Sequence, residues 1–233
     1  MNALITGASK GIGKAIAQQL AANNYNLVLC ARKLADLDHF SAELGAQFPD
    51  ITIRTFVADC EQMAQVKELA KFVAKHMHSL DVLVNNVGLF TPVSLLDDDT
   101  DSFDRKMHVN VYAAHYLSVF FGKQMRTRKS GHIFNICSVA SLKPIANSGP
   151  YCVSKFASLG LTKVLREELM PHHVKVTAIL PGATRTDSWE GTSLPNDRFV
   201  APEDIASVVI NCLNMTAGAN VDEILIRPLQ GEI

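Results

Sequence analysis

The sequence predicts an α/β protein: one domain over residues 1–233, built on a doubly wound parallel sheet with helices on both faces. Three observations predict it. Strand-like runs alternate with helix-length segments along the whole chain. The strand runs, such as Asn26–Ala31 (NLVLCA), are continuously apolar rather than alternating, as in a parallel sheet buried on both faces. A glycine-rich turn, Thr6-Gly7-Ala8-Ser9-Lys10-Gly11-Ile12-Gly13, joins the first strand directly to the first helix.

The elements follow in order. Asn2–Thr6 reads as a strand and Gly11–Ala22 as a helix, then Asn26–Ala31 as a strand and Leu34–Ala46 as a helix. Ile51–Val57 is a third strand and Gln62–His76 has the apolar period of a helix. Asp81–Val84 is a short buried strand leading to Asn85-Asn86-Val87-Gly88. One long helix is expected from about Asp101 to Arg126, a strand at His132–Ile136, and a helix at Pro150–Met170. Val174–Leu180 is a strand ending at Pro181-Gly182, Pro202–Met215 a helix and Glu223–Ile226 the last strand. Right-handed crossovers between such strands wind the sheet in both directions. The longest irregular stretch, residues 183–200, has the length of a lid or binding loop.

A chain of 233 residues suits one such domain and leaves little room for a second. With 48% hydrophobic and 19% charged residues the chain is expected to fold around a full core, and its net charge of −1 offers no general attraction to nucleic acid or anionic lipid. No apolar run approaches a membrane span, and the first strand begins without a basic leader. The five cysteines, Cys30, Cys60, Cys137, Cys152 and Cys212, are odd in number and contain no CxxC, which fits a reducing cytoplasm. Cys137 and Cys152 flank two candidate catalytic residues, where either redox switching or plain apolar packing is open to them. The histidines lack metal-ligand spacing, and no metal is expected.

The glycine-rich turn suits a dinucleotide. Gly7, Gly11 and Gly13 permit positive φ and a close approach to the backbone, and free N–H groups at a helix start favour a pyrophosphate. Ser9 and Ile12 lie in the same loop. The end of the second strand bears on which dinucleotide. A carboxylate there would accept from a ribose 2′-hydroxyl, but the chain reads Leu29-Cys30-Ala31-Arg32-Lys33. Arg32 together with Lys10 suits a 2′-phosphate, so NADP(H) is favoured over NAD(H), although Arg32 and Lys33 also fit a solvated helix start. Asp59, in VADC, is placed either to accept from an adenine amino group or to cap the next helix.

Tyr151 and Lys155 in YCVSK stand about one helical turn apart, with Ser138 thirteen residues upstream. A phenol ordinarily titrates near about 10. A neighbouring ammonium favours the phenolate and so would bring Tyr151 towards a range in which it exchanges a proton with an alcohol oxygen.

Taken together, TGASKGIG at 6–13, NNVG at 85–88, Asn110, Ser138, YCVSK at 151–155 and PGATRTD at 181–187 resemble, in order and spacing, the short-chain dehydrogenase/reductase family over essentially the whole chain. The resemblance implies a single Rossmann-type domain with a seven-stranded parallel sheet and NAD(P)-dependent hydride transfer between carbonyl and alcohol carbons. It implies that Ser138 binds the substrate oxygen, that Tyr151 is the general acid or base and also borders the cofactor, and that Lys155 tunes Tyr151 and binds the nicotinamide ribose. Asn110 would hold a water relaying protons to Lys155. Asp59 and Cys60 would meet the adenine, Asn86 the adenosine-side ribose, and Thr184 and Thr186 the carboxamide and a phosphate. Members commonly form homodimers or homotetramers on two long helices, here near 101–126 and 151–170, where Val119, Phe120 and Phe121 are available. Val87 stands where alanine is usual in the family. The ending VDEILIRPLQGEI lacks the glycine-rich terminus of 3-oxoacyl-carrier-protein reductases and looks more like broad-range carbonyl and 3-hydroxy acid dehydrogenases. A non-catalytic NADP(H) sensor is the contrasting expectation; it has no need of the complete set of Asn110, Ser138, Tyr151 and Lys155. Leu89, Phe90, Val139, Ala140, Pro144, Trp189 and Leu194 are candidate pocket walls for a small carbonyl substrate, and Arg185 and Arg198 are available to a carboxylate.

Overall fold

The computed structural model describes residues 1–233, the side chain of Ser188 excepted. Seven strands form one parallel sheet: β1 (Asn2–Thr6), β2 (Asn26–Ala31), β3 (Ile53–Val57), β4 (Val82–Asn85), β5 (His132–Ile136), β6 (Lys175–Pro181) and β7 (Glu223–Ile226). Their order across the sheet is β3-β2-β1-β4-β5-β6-β7, every neighbouring pair parallel. The chain winds outward one way from β1 through β2 to β3 and the other way from β4 to β7. The sheet therefore has its switch point between the C-terminal ends of β1 and β4, where open α/β sheets bind ligands.

Seven helices cover the faces: α1 (Gly11–Ala22), α2 (Leu34–Gln47), α3 (Met63–His76), α4 (Thr100–Met107), α5 (Ala113–Arg128), α6 (Gly149–Leu169) and α7 (Pro202–Leu213). Continuous apolar strands make two cores. One packs Ile5, Leu27 and Leu29 against Ile16, Leu20, Leu37, Phe40 and Ile205 from α1, α2 and α7. The other packs Leu4, Val28 and Leu83 against Val66, Leu69, Leu117, Phe121 and Leu169 from α3, α5 and α6. No helix is long and apolar enough to cross a membrane among the described residues.

Three expectations are corrected. Strand β3 starts at Ile53, not Ile51, because the Thr52 N–H donates to Asn26 Oδ1 at 2.8 Å instead of to a strand neighbour. Strand β4 runs Val82–Asn85, one residue later than expected, its last residue paired with Asn135 of β5. The long helix is two, α4 and α5, joined by a π-helical turn at His108–Tyr112, in which the Ala113 N–H bonds to His108 O. Such turns insert one residue into the helix and recur at functional sites; this one contains Asn110.

Candidate active site

The loop after β1 passes directly under β4. Thr6 Oγ accepts from the N–H groups of Asn86 (3.0 Å) and Val87 (3.2 Å), and Asn86 Nδ2–H donates to Thr6 O (2.9 Å) and Gly7 O (3.1 Å). The two strand ends at the switch point are thus stitched into one unit. Gly7 and Gly11 have φ of +65° and +51°, which other residues rarely adopt. A β-carbon at Gly13 would stand 2.2 Å from Gly7 O, so helix and loop touch backbone to backbone. No side chain caps the start of α1, leaving its first N–H groups available to an anion. A close-packed glycine cradle at an uncapped helix N-terminus fits the pyrophosphate of a dinucleotide.

Of the residues expected around that cofactor, Gly7, Ser9, Lys10, Gly11, Ile12 and Gly13 form this loop and helix start. Lys10 pairs at 3.0 Å with Asp187, beyond β6; Asp187 was given no role by sequence reasoning, although it closes the PGATRTD motif. Arg32 is exposed just beyond β2. Asp59 Oδ1 accepts from the Glu61 N–H at 3.0 Å, in a turn ahead of α3 whose N-cap position is Gln62, so it does not cap the helix as one expectation had it. Cys60 is buried; its hydrogen bond to Cys30, and then burial, hold the Cys30 thiol well above its usual pKa. Both Asn86 amide hydrogens are engaged by the β1–α1 loop. Thr184 is buried, its hydroxyl donating to Gly182 O at 3.0 Å, while Thr186 reaches back so that a β-carbon on Gly11 would stand 2.9 Å from its methyl.

On the other side of the switch point, α6 starts at Gly149, which is held by Val93: the Gly149 N–H donates to Val93 O at 3.2 Å, and the same strap carries Leu95 against Gly149. Lys106, fully buried in α4, anchors this strap through Asp98 at 3.1 Å. From the first turns of α6, Lys155 Nζ–H donates to Ile136 O at 2.9 Å, and Nζ lies 5.7 Å from the centre of the Tyr151 ring. Phe90 meets that ring edge-on at 4.9 Å. Ser138 follows two residues after Ile136; its Oγ accepts from the Ala140 N–H (3.1 Å) and its N–H donates to Ser141 Oγ (3.2 Å), fixing an extended backbone at the strand end.

Asn110, carried by the π turn, crosses to both halves. Its Oδ1 accepts from the Leu89 N–H (2.7 Å), and its Nδ2–H donates to Leu89 O (3.0 Å) and Ser154 Oγ (2.8 Å). Its main-chain carbonyl accepts from Ser158 Oγ at 2.9 Å. A β-carbon at Gly88 would lie 3.7 Å from Lys155 Nζ and 3.8 Å from Asn110 Oδ1, so the chain between β4 and Phe90 runs past both. Sequence reasoning missed Thr6, Ser141, Ser154 and Ser158, which hold these residues in place. Only their position inside or one turn from the motifs carried a signal.

Several secondary readings are sorted by burial. Cys137 and Cys152 are buried like the other three cysteines, and burial raises the Cys137 thiol pKa. Val139 and Ala140 are core rather than open wall, while Phe90 is half exposed. Arg185 lies over the Phe199 ring at 5.2 Å, and Trp189 meets the same ring edge-on at 5.0 Å.

Comparison with known proteins agrees with this geometry. The family model for short chain dehydrogenase matches residues 1–196. Sepiapterin reductase of Chlorobaculum tepidum is 35% identical, the match covering 99% of this chain and 97% of that protein. Among solved structures, an alcohol dehydrogenase from the archaeon Thermococcus sibiricus, complexed with 5-hydroxy-NADP, superposes with a TM-score of 0.91 at 27% identity over 100% of this chain and 98% of that one. A metagenomic short-chain oxidoreductase in complex with NADP superposes with a TM-score of 0.85 at 30% identity over 98% of this chain and 96% of that one. The chain belongs to the short-chain dehydrogenase/reductase family of NAD(P)-dependent oxidoreductases acting on CH–OH groups.

Proposed function

We propose that this protein interconverts a ketone or aldehyde and the corresponding alcohol by NADP(H)-dependent hydride transfer, with Tyr151 as general acid in reduction and general base in oxidation. The observation that carries the reading is the joining of Asn110, Lys155 and the Ser138 strand end through Gly88–Leu89 and Ile136, beside an uncapped glycine cradle. A bound nicotinamide dinucleotide supplies the hydride, and the protein supplies orientation and charge.

Ser138 Oγ–H, held by Ala140, donates a hydrogen bond to the substrate oxygen and so favours charge developing there. Tyr151 passes a proton to that oxygen in reduction and takes it back in oxidation. Lys155 sets a positive charge beside the ring from which that proton leaves. Asn110, held in the π turn by Leu89 and Ser154, positions a water that resupplies protons to Lys155. Lys10 and Arg32, with no acid at the end of β2, support NADP(H) over NAD(H), and the NADP complexes of similar structures support it further. Asp59 and Cys60 on the adenine side, Asn86 by the ribose, and Thr184 and Thr186 towards the nicotinamide complete the cofactor surface.

Phe90, Leu142 and Ile145, all substantially exposed around Tyr151 and the start of α6, support an apolar carbonyl substrate. Exposed Tyr112, Val153, Phe156 and Val164 on the flanks of α5 and α6 support a homodimer or homotetramer, whereas Phe121, considered for that role from the sequence, is core. Five unpaired, buried cysteines support a cytoplasmic protein.

The test is fluorescence titration with NADPH and NADH, followed by turnover of the preferred cofactor against ketones, aldehydes and 3-oxo esters. Sepiapterin, named in the Chlorobaculum relative, belongs on that panel. Tighter NADPH binding and turnover of at least one carbonyl is the expected result. Binding with no turnover on any member favours the sensor.

A further inference from the structure

Lys10 is the cation of the phosphate-binding loop, yet its charge is already engaged. Its ammonium pairs at 3.0 Å with Asp187, in the segment after β6, and both side chains are more than half exposed. The contact is flanked by packing: the Thr186 methyl approaches Gly11 so closely that a β-carbon there would stand 2.9 Å from it. The segment bearing Asp187 is tied at its two ends, since the Arg185 N–H donates to Val200 O (2.9 Å) and the Val200 N–H donates to Ala183 O (2.9 Å). Asp187 is therefore held over the phosphate loop rather than swinging freely. Further acids act on the same ammonium: after Asp187, the charges of Asp36 in the first turn of α2 and of Glu190 both raise the Lys10 pKa. The loop that bears Lys10 is tied to the end of β2, where a 2′-phosphate would be read, by the Ala8 N–H, which donates to Cys30 O at 3.0 Å.

We propose that Asp187 is a specificity-determining counter-ion that competes with the cofactor 2′-phosphate for Lys10 and so sets the degree of preference for NADP(H) over NAD(H). The proposal rests on NADP(H) being the favoured cofactor. Its physical content is a difference between two ligands. NADH, with no 2′-phosphate, leaves the Lys10–Asp187 pair as it is. NADPH brings a phosphate towards the same ammonium, and a carboxylate already there repels it and shares the donor. An exposed pair is worth little in water, so the effect of removing Asp187 is a change of about two- to five-fold in dissociation constant.

The experiment is equilibrium titration of cofactor fluorescence with wild type, Asp187→Asn, Lys10→Gln and the double variant, each with NADPH and NADH at low ionic strength. Thermal unfolding of each variant serves as a check on folding. Asp187→Asn is expected to tighten NADPH about two- to five-fold and to leave NADH unchanged. Lys10→Gln is expected to weaken NADPH and to abolish the effect of Asp187→Asn in the double variant. Raising the ionic strength to about 1 M, where the screening length falls to about 3 Å, is expected to erase most of the difference. Equal changes for NADPH and NADH, or weaker NADPH binding in Asp187→Asn, would overturn the proposal and leave the cofactor assignment standing. A wild type that binds both cofactors equally would overturn the assignment and the proposal together.

Discussion

Gly13→Ala is the sharpest test of the dinucleotide cradle, because the added methyl has nowhere to go. The new β-carbon would stand 2.2 Å from Gly7 O and 2.5 Å from Asn86 Nδ2, and the first neighbour is backbone. Either α1 lifts from the loop or the Gly7 carbonyl turns away, and the second response breaks the Asn86–Gly7 hydrogen bond of 3.1 Å. Overpacking a tight contact costs about 1–3 kcal/mol, and a lost hydrogen bond about 1 kcal/mol more. The sum is about 2–4 kcal/mol, or about 4–16 °C in Tm for a domain of this size. Cofactor affinity falls with it, since the same displacement moves the helix N–H groups. Differential scanning calorimetry and cofactor titration read the two effects. Gly45→Ala is the matched control: Gly45 lies inside α2 with no atom within 4 Å of the new carbon. It is expected to raise stability by about 0.5–1 kcal/mol without touching cofactor binding. A Gly13→Ala protein with wild-type Tm and wild-type cofactor affinity would refute the reasoning.

Thr6→Val removes the hydroxyl that accepts from the N–H groups of Asn86 and Val87, leaving both without that partner; a loss of about 1–3 kcal/mol per stranded group is expected by urea unfolding, with Thr6→Ser restoring most of it. His132 is buried, and burial first, then the charge of Lys175, lower its pKa from 6.5 to about 3. Thr177 donates its hydroxyl hydrogen to Val221 O, so His132 Nε2–H must be the donor to Thr177 at 2.8 Å, as a neutral imidazole. The unfolded chain takes up this proton near about pH 6.5 and the folded one does not. Stability contributed by the neutral ring is therefore present above pH 6.5 and falls as pH drops towards about 3. Between pH 7 and pH 5 that loss is about 2 kcal/mol in wild type and absent from His132→Asn, measured as the difference in urea midpoints at the two pH values.

Much of this was legible because its causes are local. Continuous apolar runs such as NLVLCA fix a strand buried on both faces, and glycines at 7, 11 and 13 leave few conformations for the turn they make. The spacing of Tyr151 and Lys155 on one face of α6 survives because one helical turn is a geometric constant. What was not legible depends on distant partners. The π turn at Asn110, HVNVY, contains no glycine or proline to mark a break, so the sequence reads as a single helix. Lys106 lies in the polar segment TDSFDRKM, yet it is fully buried, its charge met by Asp98, eight residues earlier in a loop. Asp187 reads as a loop acid until the segment after β6 reaches back across the strand ends to Lys10 in the β1–α1 loop. The hydrogen bonds from Asn86 Nδ2 to Thr6 O and Gly7 O join residues 80 and 79 positions apart in the chain, which no local pattern shows.

The most direct test of the central claim is single-turnover reduction of a carbonyl substrate by Tyr151→Phe, with NADPH affinity measured on the same sample. The phenol hydroxyl is expected to act chiefly on the reacting oxygen, so the rate should fall by about a hundred-fold or more while NADPH affinity stays near wild type. A Tyr151→Phe protein that reduces the carbonyl at the wild-type rate would contradict the assignment of the proton to Tyr151. A loss of rate explained entirely by lost NADPH binding would contradict it equally.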